Sequence, residues 1–121
     1  MACTGGAGRA PPVQVAGRNL TVAGVPIFIK GIAWNPFAAG QSASLGHVQD
    51  FAGFVNIDAP AIAAAGINVV RTYAPITDTS VLDTLWSHGI HVIMTVFYDA
   101  GYGDSAVSAA ATVCSLKGHQ V

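Results

Sequence analysis

The chain has 121 residues, 52% of them hydrophobic and 9% charged, with a formal net charge of −1. That is one domain's worth of chain, and its scattered cations, Arg9, Arg18, Lys30, Arg71 and Lys117, leave no electrostatic footprint for nucleic acid or an anionic membrane surface. Every acidic residue is an aspartate, so no reaction that needs a glutamate can be carried by these residues alone.

Low charge with abundant Val, Ile and Phe is the opposite of a disordered composition, and many Ala and Gly residues predict small side chains and a thin core. No apolar run reaches the roughly 18 to 20 residues that span a bilayer, so a membrane-spanning protein is not expected. Residues 1–12 have flexible-linker composition without the hydrophobic core of a signal peptide. Their Ala2-Cys3 pair before a Gly-rich stretch resembles the start of a mature bacterial lipoprotein, which implies a secreted or cell-envelope location with the signal segment absent from this chain. An artefactual start with an incidental cysteine is the alternative. Cys3 and Cys114 have neither CxxC nor paired-His spacing, so they predict neither a disulfide framework nor a zinc site.

Residues 13–121 form the expected domain. From Val13 to Lys30 apolar and polar residues alternate around Gly17 and Gly24, which predicts short antiparallel strands with tight turns. Ile29 to Asn35 predicts a strand that stops at Pro36. Phe37 to Phe54 has no clear period and reads as a long loop, uncommon in a compact domain unless functional. Asp58 as N-cap, an early Pro60 and Gly66 as stop predict a short helix. Ile67 to Tyr73 is a continuous β-branched run, as expected of a strand buried on both faces. Thr79 is the expected cap of a second helix whose Leu82, Leu85 and Trp86 fall on one face, with Gly89 ending it. Ile90 to Tyr98 predicts another buried strand, and Ser105 to Leu116 is Ala-rich and helix-permissive. Gly66-Ile-Asn-Val-Val70 and Gly89-Ile-His-Val-Ile93 repeat at 23 residues, the length of one strand-plus-helix unit. The order, a hairpin then β-α-β-α-β-α, is that of parallel α/β folds, and three strands leave an edge for the missing remainder or a second copy to cover.

Ligands of such folds lie at the carboxyl ends of the strands. Those ends carry Trp34 and Asn35, then Arg71 and Tyr73, then Tyr98 and Asp99, with Tyr102 and Asp104 beyond. Aromatic faces stack on the C–H faces of sugars while Asn, Arg and Asp hydrogen-bond hydroxyls, so this set suits a carbohydrate cleft. Arg71, flanked by Val69 and Val70, is expected to be buried and to need a carboxylate, either at a site or as a structural pair with Asp99 or Asp78. Trp34 and Tyr98 are either stacking platforms or core plugs. Asp99 with Asp104 as an acid and base pair is weighed against turn formation, which two Asp in a Gly-rich loop favour. His88 and His91 flank Gly89 on the opposite side and are read as helix C-terminal residues, not metal ligands. The Gly-rich stretches lack the setting of a phosphate loop, so nucleotide binding is discarded.

Three segments, the hairpin leading into Phe28-Ile-Lys-Gly-Ile-Ala-Trp-Asn-Pro36, then Asp58 through Ala-Ala-Gly-Ile-Asn-Val-Val-Arg-Thr-Tyr73, then Val81-Leu-Asp-Thr-Leu-Trp-Ser-His-Gly-Ile-His-Val-Ile-Met94, together resemble the N-terminal third of clan A glycoside hydrolases, from about Val13 to the chain's end. The resemblance implies an α/β fold that is the N-terminal part of a (β/α)8 TIM barrel. It implies a parent that hydrolyses or transglycosylates β-linked polysaccharide by a retaining mechanism without a cofactor or metal. Arg71 would then hydrogen-bond the nucleophilic glutamate. Residues 116–121 resemble the approach to strand four, with Gln120 in place of the usual Pro. Both catalytic glutamates of such enzymes would lie beyond Val121, so none of the catalytic carboxyls is expected here, and the chain alone should be inactive, marginal and prone to self-association. A small, non-catalytic sugar-binding module using Trp34, Tyr73 and Tyr98 is the alternative. A polysaccharide deacetylase ranks last, because its Asp and His metal triad is not visible.

Overall fold

A computed structural model describes Pro11 and residues 13–95. The expected antiparallel turns form a meander of β1 (Val13–Ala16), β2 (Asn19–Val22) and β3 (Val25–Ile27). Two-residue turns join the strands, and their twist requires positive φ: Gly17 has φ 61°, and the second turn has Ala23 at 50° and Gly24 at 79°. Gly meets that demand without a Cβ clash, whereas Ala23 does not.

The second sheet is parallel, with β4 (Gly31–Ala33), β5 (Val69–Arg71) and β6 (His91–Ile93) in spatial order β4-β5-β6. Between its strands run α1 (Phe51–Ala64) and α2 (Thr79–Ser87), which pack against one another. Alternation along the strands explains what faces what. Val70 and Val92, level with one another in the ladder, join Val55, Ala59 and Ile62 of α1 and Val81, Leu82 and Leu85 of α2 in one core. Each large side chain removed from water there contributes about 1.5 to 3 kcal/mol before conformational entropy is counted. The intervening row, Ala33, Arg71 and Ile93, is exposed on the other side of the sheet. Below it, Val69 and the meander's Leu20, Val22 and Ile27 enclose an apolar cavity of about 220 Å³.

The barrel expectation is overturned. The described residues form a small α/β domain of two separate three-stranded sheets, one antiparallel and one parallel, with two helices, and no part of a TIM barrel is evident. The physical reason is that a β-α-β-α-β order is shared by all parallel α/β architectures, while barrel closure depends on a strand number, tilt and stagger that three strands of three residues do not define.

Local expectations are also corrected. The first helix begins at Phe51 inside the supposed loop, with Asp50 as its N-cap accepting from Gly53 N–H at 2.9 Å. Pro60 therefore lies within the helix, and Asp58 is a side-chain partner of Trp34. The second helix is capped by Asp78, one residue before Thr79. Gly66 and Gly89, with φ of 77° and 72°, end the two helices as the sequence predicts. Residues 1–10, Pro12 and 96–121 lie outside the described residues, and with them the readings on Cys3, Cys114, Tyr98, Asp99, Tyr102, Asp104, His119 and Ser105 to Leu116. Among the described residues no helix is long and apolar enough to cross a membrane.

Candidate functional site

The carboxyl ends of β4 and β5 are tied together by Trp34 N–H donating to the Arg71 carbonyl at 2.8 Å. That bond sets Trp34 and Asn35 beside Arg71 and its successors. The two residues of the first pair then part company. Trp34 is 5% exposed, lies at 5.3 Å centroid distance from Phe51 and donates its indole N–H to Asp58 Oδ2 at 2.9 Å. Its ring belongs to the core, and of the two sequence readings the core plug is the observed one. Asn35 is exposed, and its Oδ1 accepts from Gln49 Nε2 at 2.8 Å.

Arg71 differs from expectation. It is exposed, and among the described residues no carboxylate pairs with it; Asp78 is committed to Ser80 instead. Alternation puts Val70 on the helix side and Arg71 on the opposite one, where the meander covers Val69 but leaves the row of Ala33, Arg71 and Ile93 exposed. There its guanidinium carbon sits over the Tyr73 ring at 5.1 Å from the centroid. Such a cation–π contact at an exposed position is worth about 0.5 to 1 kcal/mol. Tyr73 itself is 49% exposed, leaving ring surface open to a ligand.

Beyond Tyr73, the loop after β4 and the loop after β5 line an open, shallow cavity of about 320 Å³. Phe51, Pro75 and the buried Ile76 supply its apolar wall, and Gln49, Asp50 and Asp78 supply polar groups. Asp78 Oδ1 accepts from the Ser80 hydroxyl at 2.6 Å and the Ser80 N–H at 2.9 Å, and these bonds hold its carboxyl below the usual aspartate range. Gln49 and Asp50 were not legible as site residues, because the segment before Phe51 shows no period, and Asp78 was legible only as a candidate partner of Arg71. The one available signal was Asp50 directly ahead of an aromatic residue, a helix-start pattern that Asp58 imitated more closely.

The structure thus brings Arg71 and Tyr73 into contact and sets Asn35 beside Gln49, while it removes Trp34 to the core. His88 is the C-cap of α2, and His91 packs at 5.1 Å from Trp86. Among the described residues, no three His, Cys, Asp or Glu side chains gather as metal ligands would. No family model matches the chain, and no curated protein or solved structure matches it.

Proposed function

We propose that this chain is the substrate-holding part of a glycoside hydrolase or transglycosylase acting on β-linked glycans, and that it has no turnover by itself. The observation that carries the reading is the Arg71–Tyr73 stack, with its exposed ring, at the same carboxyl end of the parallel sheet as the Asn35–Gln49 amide pair, where the backbone of Trp34 bonds to that of Arg71. An aromatic face accepts the apolar C–H side of a pyranose while amides and a guanidinium address its hydroxyls. Glycoside cleavage by a retaining route needs two carboxyl groups roughly 5 to 5.5 Å apart, one of them kept protonated near neutral pH. The chain has no glutamate, and Asp78 is held ionised by its bonds to Ser80, so Asp78 does not supply the protonated carboxyl of that route.

A second reading, a non-catalytic carbohydrate-binding module, rests on the same exposed Tyr73 ring and Asn35–Gln49 amides. The two share one test. Titration of the 121-residue protein with cello- and laminari-oligosaccharides should give saturable binding at about millimolar Kd without release of reducing sugar. Tyr73→Ala should weaken it about fivefold, from the loss of roughly 1 kcal/mol of ring contact. Turnover of a β-glycoside would overturn the non-catalytic claim. Affinity unchanged in Tyr73→Ala, or no binding, would overturn the sugar reading.

A further inference from the structure

We infer that the cavity between the two loops is a second sugar subsite, continuous with Tyr73, and that it selects an uncharged ring, so that the ligand is a neutral glycan of at least two units. This rests on the glycan reading above and deepens it. Two links join cavity and platform. Tyr73 runs directly into Ala74, which lines the cavity, and Gln49 of the cavity wall is hydrogen-bonded to Asn35.

The chemistry of the lining selects the ligand class. At about 320 Å³ the cavity is at the small end for ligand sites, which suits one ring of a larger molecule. Phe51, Pro75 and Ile76 offer an apolar wall of the kind that meets pyranose C–H groups. The bond from Gln49 Nε2 to Asn35 Oδ1 uses one donor and one acceptor. It leaves Gln49 Oε1 to accept and the Asn35 amide N–H groups to donate, and a hydroxyl, being both donor and acceptor, answers both.

Charge excludes the alternatives. The N-termini of both helices open toward this cavity, where free N–H groups would ordinarily attract an anion. Here each is already met by its own carboxylate, Asp50 for Gly53 and Asp78 for Ser80. The second oxygen of each, Oδ2, has no hydrogen-bond partner among the described residues and can accept from a hydroxyl. A uronate or sulfated ring would instead meet two negative charges.

Backbone amide shifts on titration with glucose, cellobiose and cellobiouronic acid test this. Cellobiose should shift Gln49, Asp50 and the amides of 76–78 together with Tyr73, and bind about tenfold tighter than glucose, while the acidic disaccharide binds about fivefold weaker than cellobiose. Asp78→Asn, which preserves a good N-cap residue, should narrow the gap between the neutral and acidic disaccharides. If cellobiose shifts only Tyr73 and its strand neighbours, with the affinity of glucose, the subsite is overturned and the glycan platform stands. If both disaccharides bind alike, the selection for neutrality is overturned. If no sugar shifts Tyr73, the glycan reading falls and the subsite with it. The wild-type comparisons decide the matter even if the variant fails to fold.

Discussion

Thr72 offers the sharpest test of how this core is held together. It is fully buried, and its Oγ1 has no hydrogen-bond partner among the described residues, although its backbone N–H donates to the Ile93 carbonyl at 3.2 Å. A hydroxyl taken out of water and left unpaired costs about 1 to 3 kcal/mol. Thr72→Val exchanges that hydroxyl for a methyl of similar size and leaves the backbone bond intact. Allowing for imperfect fit of the new methyl, the expected gain is about 1 to 1.5 kcal/mol, or a rise in Tm of about 5 to 10 °C for a domain of this size. Urea denaturation followed by circular dichroism should show the midpoint moving up at constant slope. Thr72→Ser, which keeps the hydroxyl and removes a buried methyl, should lose about 1 kcal/mol. A midpoint that stays or falls in Thr72→Val would refute the reasoning, because it would mean that the hydroxyl has a partner such as a buried water.

Two further predictions follow from local geometry. Ala23, held at a φ of 50°, occupies a turn position that favours Asn or Gly, so Ala23→Asn should stabilise the meander by about 0.5 to 1 kcal/mol, read as a higher urea midpoint. Asp78 has a folded pKa below its ordinary value through its bonds to Ser80, so its contribution is fully present above the unfolded value of about 4 and is lost as pH falls through the lowered folded value. Denaturation midpoints measured from pH 6 down to pH 2 should therefore decline less steeply in Asp78→Asn than in the wild type.

Where the fold was legible, the signal was local. Turn glycines at 17 and 24, helix stops at 66 and 89 and the β-branched pair Val69-Val70 each report a backbone requirement that the residue type meets directly. The start of α1 was hidden because its sequence is apolar nearly all round, so no amphipathic period marks it, and because Asp58 and Pro60 imitate a helix start from inside the helix. Arg71 was misplaced because Val69, which shares its face, is covered by the meander while Arg71, one step further along, lies past that cover, and the extent of a covering sheet is not written in the strand's own residues. Trp34 shows the same limit at the site, since an indole that stacks on a ligand and one that plugs a core look identical in sequence. Sheet closure was beyond reach for a different reason: it is a property of many strands at once, and residues near each strand do not encode it.

The stack of Arg71 on Tyr73 changes what association would cost in freedom. An arginine side chain carries about 2 kcal/mol of rotamer entropy, which a loose surface guanidinium surrenders when it grips a ligand. In this chain the guanidinium already rests on a ring two residues along the same strand end, so part of that loss is incurred on folding. What remains to be lost at the moment of binding is smaller, so a weakly held ligand would gain affinity from stiffness that no extra contact would supply.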